Sequence, residues 1–290
     1  MRSGPKLWLA VAFAVAAALG IAIPGELKEL LLGASDSTAS TPAEQTPPVA
    51  AGAPDGTIER SDRRAGSTAL PINQKARTFD DFRAAKRALY TVYDDHRDTL
   101  YCGCSYDTSR RKINTEQCGY QINEDRVRGN RIEAEHIVPA SWIGKPRACW
   151  EQRDCRDDRG REVSGRACCL ATDAEFRAAH NDLHNLAPTV GELNKHRSAA
   201  PFGMIDGEER RYGRCDFEVA HRRRVEPRPS VRGDIARVAF YMEQRHGVEI
   251  RAKQKRTLQR WAQADPVDEW ERTRNIRIER VQGNRNPFVH

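Results

Sequence analysis

The chain has 290 residues, with 48 Lys and Arg against 41 Asp and Glu, a net charge of +7. Residues 1–75 hold seven cations and seven anions, so they are excluded as the source of that charge, and the whole excess belongs to residues 76–290. A basic stretch of that size suits a polyanionic partner, because Lys and Arg that neutralise phosphates gain from counterion release, although a merely soluble basic surface would look the same by charge alone.

In chain order, Arg2 and Lys6 precede an apolar run from Leu7 to Ile23, the pattern of an export signal, with Ala16, Ala17 and Ala18 as a cleavage site. Cleaved as a signal peptide or kept as a signal anchor over residues 1–23, it sends the rest of the chain out of the cytoplasm. Residues 24–75 read as a flexible linker, since Ser35 to Gln74 is rich in Ala, Ser, Thr, Pro and Gly and has no aromatic side chain. Such a stretch buries too little apolar surface to offset the entropy of ordering. All eight cysteines fall after it. An even count behind an export signal points to disulfides, with a structural zinc site as the rival, and adjacent Cys168 and Cys169 are expected to join different partners.

Phe82, Leu89 and Tyr93 predict a helix over Asp80 to Tyr93 that buries one face. Gly129-Asn130 signals a turn before a short strand at 131–138, and the charged stretch 151–166 reads as a surface loop closed by cysteines. A helix is expected from Asp173 to Leu186, and another from Pro188 to Arg197 with Val190 and Leu193 buried. Asn194 lies near that buried face, where a polar amide needs partners. The final hundred residues predict three helices: Asp234 to Arg245 stopped by Gly247, Lys253 to Ala264, and Pro266 to Val281 capped by Asp265. Trp142, Trp150, Trp261 and Trp270 read as core rather than as base-stacking platforms, and the Arg222-Arg223-Arg224 run as a solvated face or a phosphate track.

Glu135 and His136, side by side ahead of Pro139, carry the chemistry. A carboxylate and an amide oxygen are hard donors suited to Mg²⁺, and a neutral imidazole can take a proton from water near neutral pH. Neighbours on a regular strand point to opposite faces, so the two can share one phosphate only if the strand ends or bends there, as Pro139 suggests. His180 and His184 stand at i, i+4, but the glutamate of the His-Glu-x-x-His pattern is replaced by Asn181, which argues against a metallopeptidase.

Four ordered blocks carry a resemblance: Glu-Ala-Glu-His-Ile-Val-Pro-Ala at 133–140, Asp-Leu-His-Asn-Leu-Ala-Pro at 182–188, Gly-Glu-Leu-Asn-Lys-His-Arg-Ser at 191–198 and Val-Gln-Gly-Asn-Arg-Asn-Pro-Phe-Val at 281–289. Together they resemble the endonuclease I family of periplasmic or secreted nonspecific nucleases. The resemblance implies an α+β fold, with a ββα-metal nuclease core inside a largely helical, disulfide-bonded domain over residues 76–290. It also implies Mg²⁺-dependent cleavage of DNA, and often RNA, leaving 5′-phosphate ends, by a monomer without a protein partner. Carried over by position, His136 is the general base, Glu135 and Asn194 are metal ligands and Glu133 is a supporting catalytic residue. Gly165-Arg166-Ala167-Cys168-Cys169 fits the family's Gly-Arg-x-x-Cys pattern and makes Arg166 the phosphate-stabilising arginine, ahead of Arg153. Arg197, Asn185 and Arg131 are assigned to substrate binding, Asn185 with a backbone-capping role as the alternative. The chain departs from the family in an insertion within 152–164, in a cysteine replaced by Arg272, and in two additional cysteines, Cys155 and Cys168, expected to pair. The rival class is an exported, noncatalytic nucleic-acid-binding module that keeps the basic surface.

Overall fold

The computed structural model describes residues 77–207, 209–220 and 223–290, so the expected signal and linker, and Arg222, lie outside the described residues. Helix α1 (Phe82–Val92) begins where the Asp81 carboxylate accepts from the Ala84 amide at 2.7 Å, and buries Ala85, Leu89 and Val92. A hairpin of β1 (Tyr106–Asp107) and β2 (Lys112–Ile113) and two single-turn helices, α2 (Thr115–Cys118) and α3 (Arg126–Gly129), lead into β3 (Ile132–His136). Short helices α4 (Ala140–Gly144) and α5 (Ala148–Glu151) follow. The charged loop forms a hairpin of β4 (Cys155–Arg156) and β5 (Glu162–Val163). Helices α6 (Arg166–Thr172) and α7 (Ala174–His180), strand β6 (Leu186–Val190) and helix α8 (Gly191–Arg197) complete the central region.

Strands β3 and β6 form an antiparallel pair, from Ile132 opposite Val190 to His136 opposite Leu186, and β6 runs directly into α8. A further hairpin, β7 (Phe217–Ala220) and β8 (Arg224–Pro227), precedes the helices α9 (Arg232–His246), α10 (Ala252–Ala264) and α11 (Glu269–Gln282). The result is a mixed α+β fold with small two-stranded sheets. The larger core gathers Tyr101, Leu193, Phe217, Ile235 and Met242, while a second packs Leu89 of α1 against Leu183, Leu186 and Ile278.

Two expected helices need correction. The one placed over Asp173 to Leu186 ends at His180, where Asn181 caps it; the Asp182 carboxylate then holds the His184 amide at 2.9 Å and starts a separate 3-10 turn. The one placed from Pro188 begins at Gly191, because Pro188 belongs to β6. The Pro188 carbonyl accepts from the Leu100 amide at 2.8 Å, so its backbone polar side faces away from β3 and its missing N–H costs no ladder bond. At the last helix Asp268, rather than Asp265, is the cap, accepting from Glu271 N at 2.7 Å; Asp265 instead accepts from Gly233 N.

All eight cysteines are paired, as Cys102–Cys215, Cys104–Cys118, Cys149–Cys169 and Cys155–Cys168, which removes the zinc alternative for them. Cys168 and Cys169 take different partners, and Cys155–Cys168 closes the inserted loop. Two disulfides therefore grip α6, the helix whose first residue is Arg166.

Candidate active site

The end of β3, the second half of α8 and the start of α6 converge on a cleft of about 590 Å³. It is bordered by Glu133, Glu135, His136, Arg166, Asn194 and Arg197. Lys86, Arg111, Arg128 and Arg131 bring its cations to six against two carboxylates, a balance that favours an anionic ligand.

Regular pleating would separate Glu135 from His136, but the strand stops at His136 and the chain bends at Ile137 and Val138, so both border the cleft. Asn185 holds that bend. Its Oδ1 accepts from Val138 N at 2.7 Å and its Nδ2 donates to Val138 O at 3.0 Å. Asn185 is fully buried and its amide is engaged with the backbone, as in the backbone-capping alternative.

His136 is 7 % exposed, and its Nε2 lies 2.8 Å from the carbonyl oxygen of His180. A carbonyl only accepts, so Nε2 carries the proton and neutral His136 keeps its lone pair on Nδ1. Burial, then the neighbouring His180 and Arg166, hold its pKa well below the usual imidazole range. Phe82 of α1 stacks on the ring with centroids 5.1 Å apart and also lies beneath the Arg166 guanidinium.

Glu135 is 2 % exposed. Its Oε1 accepts from Tyr101 OH at 2.7 Å and lies 3.1 Å from Arg197 Nη1, so neither contact uses Oε2. Burial raises its pKa, with Arg197 and Tyr101 working against the rise. Arg197, itself 1 % exposed, also donates to the carbonyls of His136 and Ile137 at 2.7 and 2.5 Å. Its two terminal nitrogens hold Glu135 and the strand end, while the residue still borders the cleft.

Glu133 faces α8 rather than His136. Arg128 and Arg131 donate to it, and Asn194 Nδ2 donates to its Oε2 at 3.0 Å. Because a carboxylate cannot donate, this contact fixes the amide with nitrogen towards Glu133 and leaves Oδ1 as the free donor atom for a cation. The approach is close: a Cβ on Gly191 would stand 2.8 Å from Glu133 Oε1 and from the Arg128 carbonyl oxygen. Arg131 remains at the cleft with its side chain 45 % exposed, although two of its nitrogens engage Glu133. Glu192, the residue after Gly191, anchors α8 by accepting from the amides of Asn123, Glu124 and Asp125.

Arg166 follows Gly165, whose φ of +55° a side chain would rarely adopt. Its Nε donates to His180 Nε2 at 2.9 Å, while His180 Nδ1 faces the Asn181 amide oxygen at 2.7 Å. Those contacts fix the neutral tautomer with hydrogen on Nδ1. Arg166 is exposed at the cleft, whereas Arg153 is exposed elsewhere and does not border it. His180 was missed as a functional residue: its ring holds Arg166, its carbonyl holds His136, and it is fully buried. Its signals in the sequence are its i, i+4 spacing with His184 and its place two residues before the Asp-Leu-His-Asn block.

Burial, then the charge of Arg166, pulls His180 from 6.5 down to about 4, with the Asn181 hydrogen bond opposing. Burial likewise pulls His184 down to about 4, against the pull of Asp182. Between these values and 6.5 an unfolded histidine binds a proton that the folded one refuses, so stability falls as pH drops through this window and levels off below it. The expected loss is on the order of 3 kcal/mol per histidine. Urea unfolding at pH 7, 5 and 4 checks this, and His180→Phe with His184→Phe should flatten the decline; an unchanged slope would remove the two histidines as its source.

Among the described residues, no group of three His, Cys, Asp or Glu side chains is arranged to hold a metal ion by itself. Glu135 and Asn194 nevertheless fit a cation such as Mg²⁺, which takes few protein ligands and keeps several waters. What the fold and cleft define is a disulfide-bonded α+β domain built around a basic cleft. The chain belongs to the endonuclease I family, whose profile matches residues 79–290. It is similar to an extracellular deoxyribonuclease of Aeromonas hydrophila, 39 % identical over 72 % of this chain and 88 % of that protein. A periplasmic deoxyribonuclease of the same organism is 38 % identical over 74 % of this chain and 86 % of that protein. An extracellular ribonuclease of Bacillus subtilis is 32 % identical over 37 % of this chain and 43 % of that protein. Among the described residues, no helix is long and apolar enough to cross a membrane.

Proposed function

We propose that this protein is an exported, Mg²⁺-dependent endonuclease that hydrolyses phosphodiester bonds in DNA with little sequence preference. The observation that carries the reading is the His136 tautomer, with Nε2–H held by the His180 carbonyl and Nδ1 kept as a base at a basic cleft. An antiparallel β3–β6 pair running into α8 supports reading the site as ββα-metal. Deoxyribonuclease relatives similar over most of residues 76–290 support the substrate, and the apolar leader supports export to the periplasm or medium.

His136 Nδ1 takes a proton from water, whose oxygen attacks phosphorus as the bond to the 3′ oxygen breaks, leaving a 5′-phosphate. Arg166 lends its remaining N–H groups to the phosphate oxygens as charge builds there. Glu135 and Asn194 would hold the metal; Glu133 orients the Asn194 amide, and Tyr101 with Arg197 fixes the Glu135 carboxylate. The bound metal supplies Lewis-acid stabilisation of the phosphate and the leaving oxygen. With bases unread, backbone contacts set position without sequence preference.

The test is plasmid nicking by the oxidised protein with Mg²⁺ and with EDTA, beside Asn194→Ala. Cutting is expected with Mg²⁺ alone, and Asn194→Ala should need more of it. Salt-sensitive DNA binding without cutting would replace this reading with the noncatalytic module.

A further inference from the structure

A second groove, of about 360 Å³, adjoins the cleft and shares Ser141 and Ala199 with it. Its size falls within the range of small-ligand sites. Trp142, Pro146 and Pro201 give it an apolar wall, while Lys145 and Arg251 stand at it as exposed cations against one exposed carboxylate, Glu249. Gln254 also borders it, and the Gln254 Nε2 atom is buried without a hydrogen-bond partner. An unpaired buried donor is uncommon, and a turn of this flexible side chain towards the groove would let an incoming acceptor satisfy it. At the junction with the cleft, Ser198 has φ +50°, a backbone conformation rare outside glycine and often found beside ligands.

Trp142, placed in the core by sequence reasoning, is half-buried at this groove, whereas Trp261 is buried. An apolar slot with an aromatic ring, an amide donor and flanking cations has the parts that take a nucleobase and its phosphate: stacking surface, hydrogen-bond donor and counter-charge. In a duplex the base faces are covered by their neighbours, so only an unpaired base can reach such a ring.

We propose that this groove binds an unpaired base next to the scissile phosphate, stacked on Trp142 with Gln254 at its edge, and so biases the enzyme towards single-stranded nucleic acid. The proposal rests on the nuclease reading for its phosphate but makes a separate claim about the neighbouring nucleotide. Bases of any identity would be accepted, since every base offers a π face.

The experiment compares cleavage of one oligonucleotide as a single strand and as a duplex by the wild-type protein, Trp142→Ala, Trp142→Phe and Gln254→Ala. The ratio of kcat/KM for single strand over duplex is expected to fall about 10-fold in Trp142→Ala, with Trp142→Phe keeping most of it because a ring remains. Gln254→Ala should lower the ratio by a smaller factor. An unchanged ratio in Trp142→Ala, or one that Trp142→Phe loses equally, overturns the groove while leaving the nuclease reading intact. If the wild-type protein cuts neither substrate, the nuclease reading fails, and anisotropy of the labelled single strand in EDTA decides the groove: weaker binding by Trp142→Ala supports it, and equal binding overturns it.

Discussion

Replacing His136 with alanine is expected to slow DNA hydrolysis by about 10² to 10⁴-fold, the usual contribution of a positioned general base, with little change in DNA affinity. The affinity should survive because the six cations that border the cleft are untouched. The loss should fall in kcat, since His136 acts on the water and only as the reaction proceeds. Its ring is well placed for this task. Burial and the nearby Arg166 keep it neutral, and the His180 carbonyl leaves Nδ1 as its base. Initial rates of plasmid nicking at saturating Mg²⁺ would measure the effect, with unfolding curves to show that the variant is folded. A rate within a few-fold of wild type would assign the proton to another group.

The chemistry of the cleft was more legible in the sequence than the frame that positions it. Glu135 and His136 announce themselves as neighbours, and Asn194 as an amide near an apolar helix face, and all three border one cleft. The helices over 82–92 and 252–264 bury spaced residues on one face, a pattern that needs no knowledge of partners. The helix over 232–246 is legible from its apolar residues, although it buries Ile235 to Ala239 in succession and so more than one face.

Residues 181–190 were misread because every residue of β6 is buried, which removes the alternation that marks a half-exposed strand. Pro188 then looked like a helix start, when its place is set by Ala134 across the pair and by Leu100 behind it. Arg197 and Asn185 show the same limit. Arginine and asparagine near a catalytic block suggest contact with a ligand, yet their partners here are the backbone of residues 136–138, which only the folded chain brings near. His180 was hidden in the same way, since nothing local shows that its ring will meet Arg166 or its carbonyl meet His136.

Arg166→Ala is expected to lower kcat by about 10² to 10³-fold, as loss of a donor aimed at developing charge does in other hydrolytic sites. His180→Ala should reproduce much of that loss without touching the phosphate. Its ring supplies the acceptor for Arg166 Nε, and without it the guanidinium can turn away from the cleft. The backbone carbonyl that fixes His136 remains in every variant at position 180, so the base tautomer is not the cause. Combining both substitutions separates positioning from independent contributions. If His180 works through Arg166, the double variant should be about as slow as Arg166→Ala alone, because the second change removes support from a group already absent. His180→Gln keeps an amide oxygen able to accept from Arg166 and should recover part of the rate, a rescue that a purely structural role would not give. Multiplicative losses in the double variant would show that Arg166 finds its place without His180, leaving the two disulfides on its helix as the elements that hold it.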